Sequence, residues 1–160
     1  MITYGQYQFE KDMRDVIALC GSWWKDSLFY KTYGIDYDVD IDFFRSLYKT
    51  GYLFYTCGRD DDNVLISCYV GVKQPYLFNK NLLSAHEIVW CIDKPHRNFK
   101  NLVGLLKAIE DLMSNNKIII WNLNVSNESV YNNTGEFLNR KGYTFMDKIY
   151  SKIKQEKNNG

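Results

Sequence analysis

Apolar residues first recur at helical spacing: Met13, Val16, Ile17, Cys20 and Trp24 fall on one face of a predicted helix within "EKDMRDVIALCGSWWKDS". Gly21 and the adjacent tryptophans mark its end or a tight join. Before it, "ITYGQYQF" alternates loosely and predicts a short first strand. After it, "SLFYKTYGIDYDVD" carries Gly34 and many Asp and Tyr, and reads as a loop. "DIDFFRSLYKTG" predicts a second short helix, capped by Asp40 or Asp42 and stopped by Gly51.

The pattern then shifts to strand-like runs. "YLFYTC" and "VLISCYVGV" flank the polar turn "GRDDDN" and predict a β-hairpin. A loop containing Pro75 follows, then the strand "LLSAHEIVWCID". Strict alternation there puts His86, Ile88, Trp90 and Ile92 on one face and Ala85, Glu87, Val89 and Cys91 on the other. From Arg97 the helical period returns. Phe99, Leu102, Leu106, Ile109 and Met113 stack on one face, widened by Val103, Leu105 and Leu112, with Lys107, Glu110 and Asp111 opposite. "KIIIWNLNV" predicts a buried strand, "NESVYNNTGEFLNRKG" a helix ending at Gly142, and "YTFMDKIYSKI" a last strand. An antiparallel first half and strand–helix–strand crossovers in the second predict an α/β sandwich around a mixed sheet. One domain over residues 1–153 is expected, with 154–160 a frayed polar tail.

Composition narrows the function classes. The 160 residues carry a formal net charge of +1, so nucleic-acid binding through overall charge is not expected and any basic function is local. No apolar run reaches the roughly 18 residues of a membrane span, and the opening residues hold no signal-peptide core. A cytoplasmic location is expected. Cys20, Cys57, Cys68 and Cys91 form no CxxC pair and read as reduced, mostly buried thiols. Asp36, Asp38, Asp40 and Asp42 alternate, but with no distal Glu they read as an acidic surface or a lip over a cleft rather than a metal loop. "GRDDDN" reads as a solvated turn. Trp23, Trp24, Phe29, Tyr30 and Tyr33 are core residues or an interface.

The candidate chemistry sits at the start of the long helix. Lys94, His96, Arg97 and Lys100 crowd a helix N-terminus, where the peptide dipoles already disfavour cations. Either they receive an anion, or they form a solvated basic rim beside Asp93. On the preceding strand, Glu87 and His86 are candidate bases for an ammonium substrate. Their alternatives are a paired surface carboxylate and a satisfied core histidine.

The element order, "RNFKNL" and "FLNRKGY" together resemble the GNAT superfamily of acyl-CoA-dependent N-acetyltransferases, from about Gly51 to Lys152. The resemblance implies a GNAT-like mixed-sheet sandwich and an acetyl-CoA cofactor. Its pyrophosphate would lie on a loop of the form Arg/Gln-x-x-Gly-x-Gly/Ala that opens the long helix. The matching run is Arg97, Asn98, Phe99, Lys100, Asn101 and Leu102, after Ile92 at the strand end. Lys100 and Leu102 replace the two small residues. The tyrosine that often acts as general acid falls on Leu138, leaving Tyr131 upstream as the substitute. The departures are similar to degenerate GNAT-like proteins of tailed phages, some packaged inside virions of short-tailed phages. Two readings stay open: an N-acyltransferase acting on an amine-bearing substrate, or a non-enzymatic phage protein, in the host cytoplasm or the virion, that binds a phage or host protein.

Overall fold

The computed structural model describes residues 1–124 and 132–144. The chain divides into two compact units, Met1–Leu123 and Asn124–Gly160. Tyr131 and most of the expected last strand lie outside the described residues.

In the first unit the order is β1 (Thr3–Gly5), α1 (Phe9–Trp24), α2 (Leu28–Tyr33), α3 (Ile41–Lys49), β2 (Leu53–Arg59), β3 (Leu65–Tyr76), β4 (Asn79–Ile92), a short 3-10 turn (Lys94–His96), α4 (Phe99–Asn115) and β5 (Ile118–Trp121). The strands form one sheet in the order β1-β2-β3-β4-β5. The first three pairings are antiparallel, and β4 pairs with β5 in parallel. The sheet is therefore mixed, as the sequence predicts, with α4 as the crossover between its parallel strands.

Each face of the sheet carries its own helix. Leu53, Tyr55 and Cys57 of β2, Cys68 and Val70 of β3 and Cys91 of β4 form a buried core with Met13, Val16 and Cys20 of α1. The opposite face of β2 meets α4 through Tyr4. Its ring lies against both Gly58 and Gly104, where an added Cβ would come within 2.6 Å and 3.1 Å of Tyr4 atoms. The Tyr4 hydroxyl donates to the Asn101 carbonyl at 3.3 Å.

Local chemistry fixes the helix ends. Asp40 caps α3 by accepting from the Asp42 N–H at 2.8 Å, and Gly51 follows the helix at φ +76°. The side chain of Gln8 makes no cap to α1. Asp12 reaches back instead and accepts from the Tyr7 and Gln8 N–H groups at 2.9 and 3.1 Å. Asp60 closes the β2–β3 turn by accepting from Asp62 and Val64 N–H groups, with Asn63 in the left-handed region.

Three expectations change. The segment read as a loop after α1 contains α2, capped by Ser27 and ended by Gly34 at φ +65°. Pro75 lies inside β3 rather than in a loop. It sits at a register irregularity, where a residue without an N–H is tolerated. On α4 the buried stripe is Leu105, Leu106, Ile109 and Met113, while Phe99 is 65% exposed. The apolar face thus starts later than the spacing suggests.

In the second unit, α5 (Asn132–Arg140) ends in a turn with Gly142 at φ +91°, and the Tyr143 N–H donates to the Leu138 carbonyl at 3.0 Å. Leu138 is buried. Among the described residues, no helix is long and apolar enough to cross a membrane.

Candidate functional site

The turn from β4 into α4 is built from side-chain amides and carboxylates, not glycines. Asp93 accepts from the Lys94 N–H at 2.9 Å and faces His96 Nδ1 at 3.3 Å. Arg97 folds back, and its Nε donates to the Ile92 carbonyl at 3.0 Å. Asn98 is the N-cap of α4. Its side chain accepts from the Asn101 N–H at 2.9 Å, and its carbonyl accepts the Leu102 N–H at 3.0 Å. The Asn98 and Asn101 amides both donate to the His96 carbonyl, at 3.2 and 2.7 Å. Arg97, Asn98 and Asn101 thereby hold the turn's shape. Lys100 is exposed, and Leu102 is half-buried.

Beside this turn lies a groove of about 300 Å³. Its walls include Tyr4, Ile66, His96, Lys100, Asn101 and Gly104. Burial raises the Tyr4 phenol above its ordinary pKa, so Tyr4 remains a neutral donor to Asn101. The groove brings His96, Lys100 and Asn101 together. Arg97 and Ile92 meet at the strand end instead and are not among the lining residues.

Glu87 and His86 lie further back on β4. In the β3–β4 ladder Val70 faces Val89, but the next pair is Gly71 with Glu87, then Val72 with His86. Ile88 is therefore a bulge residue, and the alternation changes phase there. This corrects the expected faces. Paired residues share a face, so Glu87 and Ala85 lie with Trp90 and Ile92 on the α4 side, and His86 lies with Val89 and Cys91 on the α1 side. Glu87 is half-buried and His86 exposed. Because the two point to opposite faces, they do not converge on one proton.

The β4–β5 ladder is short. It runs from Leu83 with Ile118 to Ala85 with Trp121 and stops there. Five residues of β4 then lead from Glu87 to Ile92, about 16 Å at the rise of a strand. One end of this stretch has a carboxylate, and the other has the cationic turn.

Several residues of the acidic stretches are engaged locally. Asp40 and Asp60 cap backbone, and Asp42 pairs with Arg45, which also binds Glu10 at 2.6 Å. Among the described residues, no group of three or more His, Cys, Asp or Glu side chains is arranged to hold a metal ion. Sequence reading missed Tyr4 and the amide roles of Asn98 and Asn101. A helix-preceding Asn was a usable cap signal; nothing local marked Tyr4.

No family model matches the chain, and no curated protein matches it by sequence. Solved structures do match. An aminoglycoside acetyltransferase, HMB0005, from an uncultured soil metagenomic sample superposes with a TM-score of 0.70 at 11% identity, covering 98% of this chain and 99% of that one. Glucosamine-6-phosphate N-acetyltransferase from Arabidopsis thaliana gives 0.70 at 11% identity, covering 96% and 98%. A predicted acetyltransferase with acetyl-CoA from Clostridium acetobutylicum gives 0.65 at 15% identity, covering 96% of each chain. The fold of this chain is accordingly that of the GNAT N-acetyltransferases.

Proposed function

We propose that this protein is an acyl-CoA-dependent N-acyltransferase. The observation that carries the reading is the end of the β4–β5 ladder at Ala85, with Glu87 two residues beyond it and the cationic turn at the far end of β4. An extended strand edge suits an amide-containing arm such as pantetheine, which can hydrogen-bond along it as an added strand would. At the far end, beside the N-terminus of α4, Lys100 supplies charge for phosphates and His96 lines the same groove. Lys100 fits this role by charge where a glycine would have fitted by close approach. Acetyl-CoA, as the donor, would supply the acyl group as a thioester. Glu87 takes a proton from the acceptor ammonium, freeing the nitrogen lone pair to attack the thioester carbonyl. Ile92, Arg97, Asn98, Asn101 and Leu102 complete the phosphate turn.

A second reading has its own support. The Asn98 side chain already occupies the Asn101 N–H, one of the helix-start donors that a phosphate would use. Together with Lys100, Leu102 and Leu138, this favours a GNAT-fold protein that has given up catalysis. Such a protein would act by binding a phage or host protein, in a virion or on a host factor.

Calorimetric titration with acetyl-CoA at low salt, with Lys100→Ala in parallel, separates the two. Micromolar binding weakened by the substitution supports the transferase. Neither heat nor thermal stabilisation at millimolar acetyl-CoA refutes it and leaves the binding role.

A further inference from the structure

The hairpin of β3 and β4 outruns the rest of its sheet. Pairing of β2 with β3 ends at Val72, beyond which the Lys73 N–H donates to the Tyr52 carbonyl at 2.9 Å. Pairing of β5 with β4 begins only at Leu83. Among the described strands, none but β3 and β4 themselves pairs along residues 74–82. The two-residue turn at the tip is Leu77 and Phe78, whose side chains are 85% and 82% exposed. Turns of this length favour Asn and Gly at positive φ. Neither Leu77 nor Phe78 has a positive φ, so turn chemistry does not account for either residue. The Tyr76 ring meets the Phe78 ring edge-on at 5.7 Å, which widens the apolar tip.

The base of this arm is cationic. Lys73 Nζ donates to the Asn116 side chain at 3.0 Å, and Leu83 pairs with Ile118. With the Lys73–Tyr52 bond, these contacts bring residues 47–53, 72–84 and 112–118 to one end of the sheet. The three segments contain Lys49, Lys73, Lys80 and Lys117, and no Asp or Glu. Lys49, Lys80 and Lys117 are exposed. The whole chain carries a formal charge of only +1, so this is a local excess. Between Asn79 and Leu83 β4 takes four steps while β3 takes one, and the Asn79 side chain holds the bulge by accepting from the Asn81 N–H at 3.1 Å. Lys80 belongs to that bulge, one residue past the tip pair of Tyr76 and Asn79.

We infer that the Leu77–Phe78 tip inserts into an anionic lipid surface, with the four lysines resting on the headgroups. A turn this exposed has no wall of its own to bury the two side chains, so its occupant must close around them. A fluid acyl layer does so. An anionic bilayer also sets negative charge above an apolar layer, which matches lysines at the base of the arm and apolar side chains at its tip. The lengths agree. Three residues from Pro75 to Phe78 span about 10 Å at the rise of a strand, and the headgroup layer of one leaflet is about 5–8 Å thick. Phe78 therefore reaches the acyl boundary while Lys73 stays at headgroup depth. A second copy joined symmetrically through this end would instead set lysines against lysines. One tip with two apolar side chains gives reversible attachment, not a permanent anchor. The tip precedes β4 and the cationic turn follows it, so the inference does not depend on the acyl-transfer reading.

The test is co-sedimentation of the full chain with vesicles of phosphatidylcholine, alone or with about one-third phosphatidylserine. Expected is binding to the anionic vesicles that falls as salt rises, with little on the neutral ones. The double variant Leu77→Asn, Phe78→Gly carries a favoured turn pair and should melt no lower than the unaltered chain. Its vesicle partitioning should nevertheless fall at least about tenfold, from the loss of two inserted apolar side chains. Lys80→Gln, Lys117→Gln should weaken binding to the anionic vesicles with the tip intact. Phe43→Ser, at an exposed position on α3, is the control and should bind as the unaltered chain does. Absence of binding at millimolar lipid overturns the inference. So does binding that the folded turn variant retains, or binding that is equal on the two kinds of vesicle. Self-association that depends on the tip, seen by analytical ultracentrifugation without vesicle binding, would give the tip to a second copy and overturn the lipid assignment.

Discussion

Arg59 of β2 and Asp12 of α1 meet at 2.7 Å, with both side chains buried. The pair joins the first helix to the sheet, and nearly every polar atom in it is used. Asp12 also accepts from the Tyr7 and Gln8 N–H groups and from the Tyr55 hydroxyl, at 3.0 Å for the last. Arg59 also reaches Asp15 at 2.7 Å and the Asn63 carbonyl at 3.0 Å. Breaking a buried pair from one side strands the other charge, at about 3–5 kcal/mol. Asp12→Ala should lose that much by urea denaturation. An Asp12→Leu, Arg59→Met double variant should lose less than either single change. A double variant as unstable as the sum of the singles would show that the pair matters only through packing.

Tyr55 links the same network to alkaline pH. Burial, and then the neighbouring Asp12 charge, raise its phenol above the ordinary value of 10.0. A raised folded-state value means that the stabilisation is fully present below pH 10 and is lost as pH climbs toward the folded-state value. Tyr55→Phe should cost about 1 kcal/mol at neutral pH, for the hydrogen bond. It should also flatten the fall in urea midpoint above pH 10. Equal alkaline slopes in the two proteins would exclude Tyr55 as a source of that fall.

Gly58 is where Tyr4 lies against the sheet. A Cβ there would come to 2.4 Å from Ser67 Oγ and 2.6 Å from the Tyr4 ring. Gly58→Ala should destabilise by about 1–3 kcal/mol, as overpacking does. Gly5→Ala, with nothing within 4 Å, serves as the control. Because Tyr4 also lines the groove, acetyl-CoA binding, if the chain transfers acyl groups, should weaken in Gly58→Ala and hold in Gly5→Ala. Equal melting temperatures for both variants would contradict the tight packing.

If the chain transfers acyl groups, Glu87→Gln should lower kcat by about 10²–10⁴-fold, the usual contribution of a positioned base. Binding of acetyl-CoA should be unchanged. His86→Asn should leave kcat near its starting value, because His86 faces the α1 side. A large loss in His86→Asn with none in Glu87→Gln would reverse the assignment.

Much of this architecture could be read from periodicity. The β2–β3 hairpin was legible because a polar turn separates two apolar runs, and α4 because its apolar stripe is long. The bulge was not legible: Ile88 is neither Gly nor Pro, and only its partner strand reveals the extra residue. Helix α2 was hidden because its six residues sit between Asp-rich and Gly-containing segments. At the candidate site, Arg97, Lys100 and Glu87 were proposed from residue type and spacing. The Asn98–Asn101 amide bonds and the Tyr4 contact depend on how separate elements fold together.

One inserted residue at Ile88 works as a spatial frameshift. It lets a single strand follow two parities, one on either side of the insertion, without a break in the chain. Before the insertion β4 pairs with β3 and, over Leu83–Ala85, with β5; after it, residues 89–92 pair with β3 and lead into the turn. Were Ile88 paired in a regular ladder instead of bulged, strict alternation would carry Glu87 to the α1 face with Val89 and Cys91. The carboxylate and the cationic turn would then open onto different sides of the sheet.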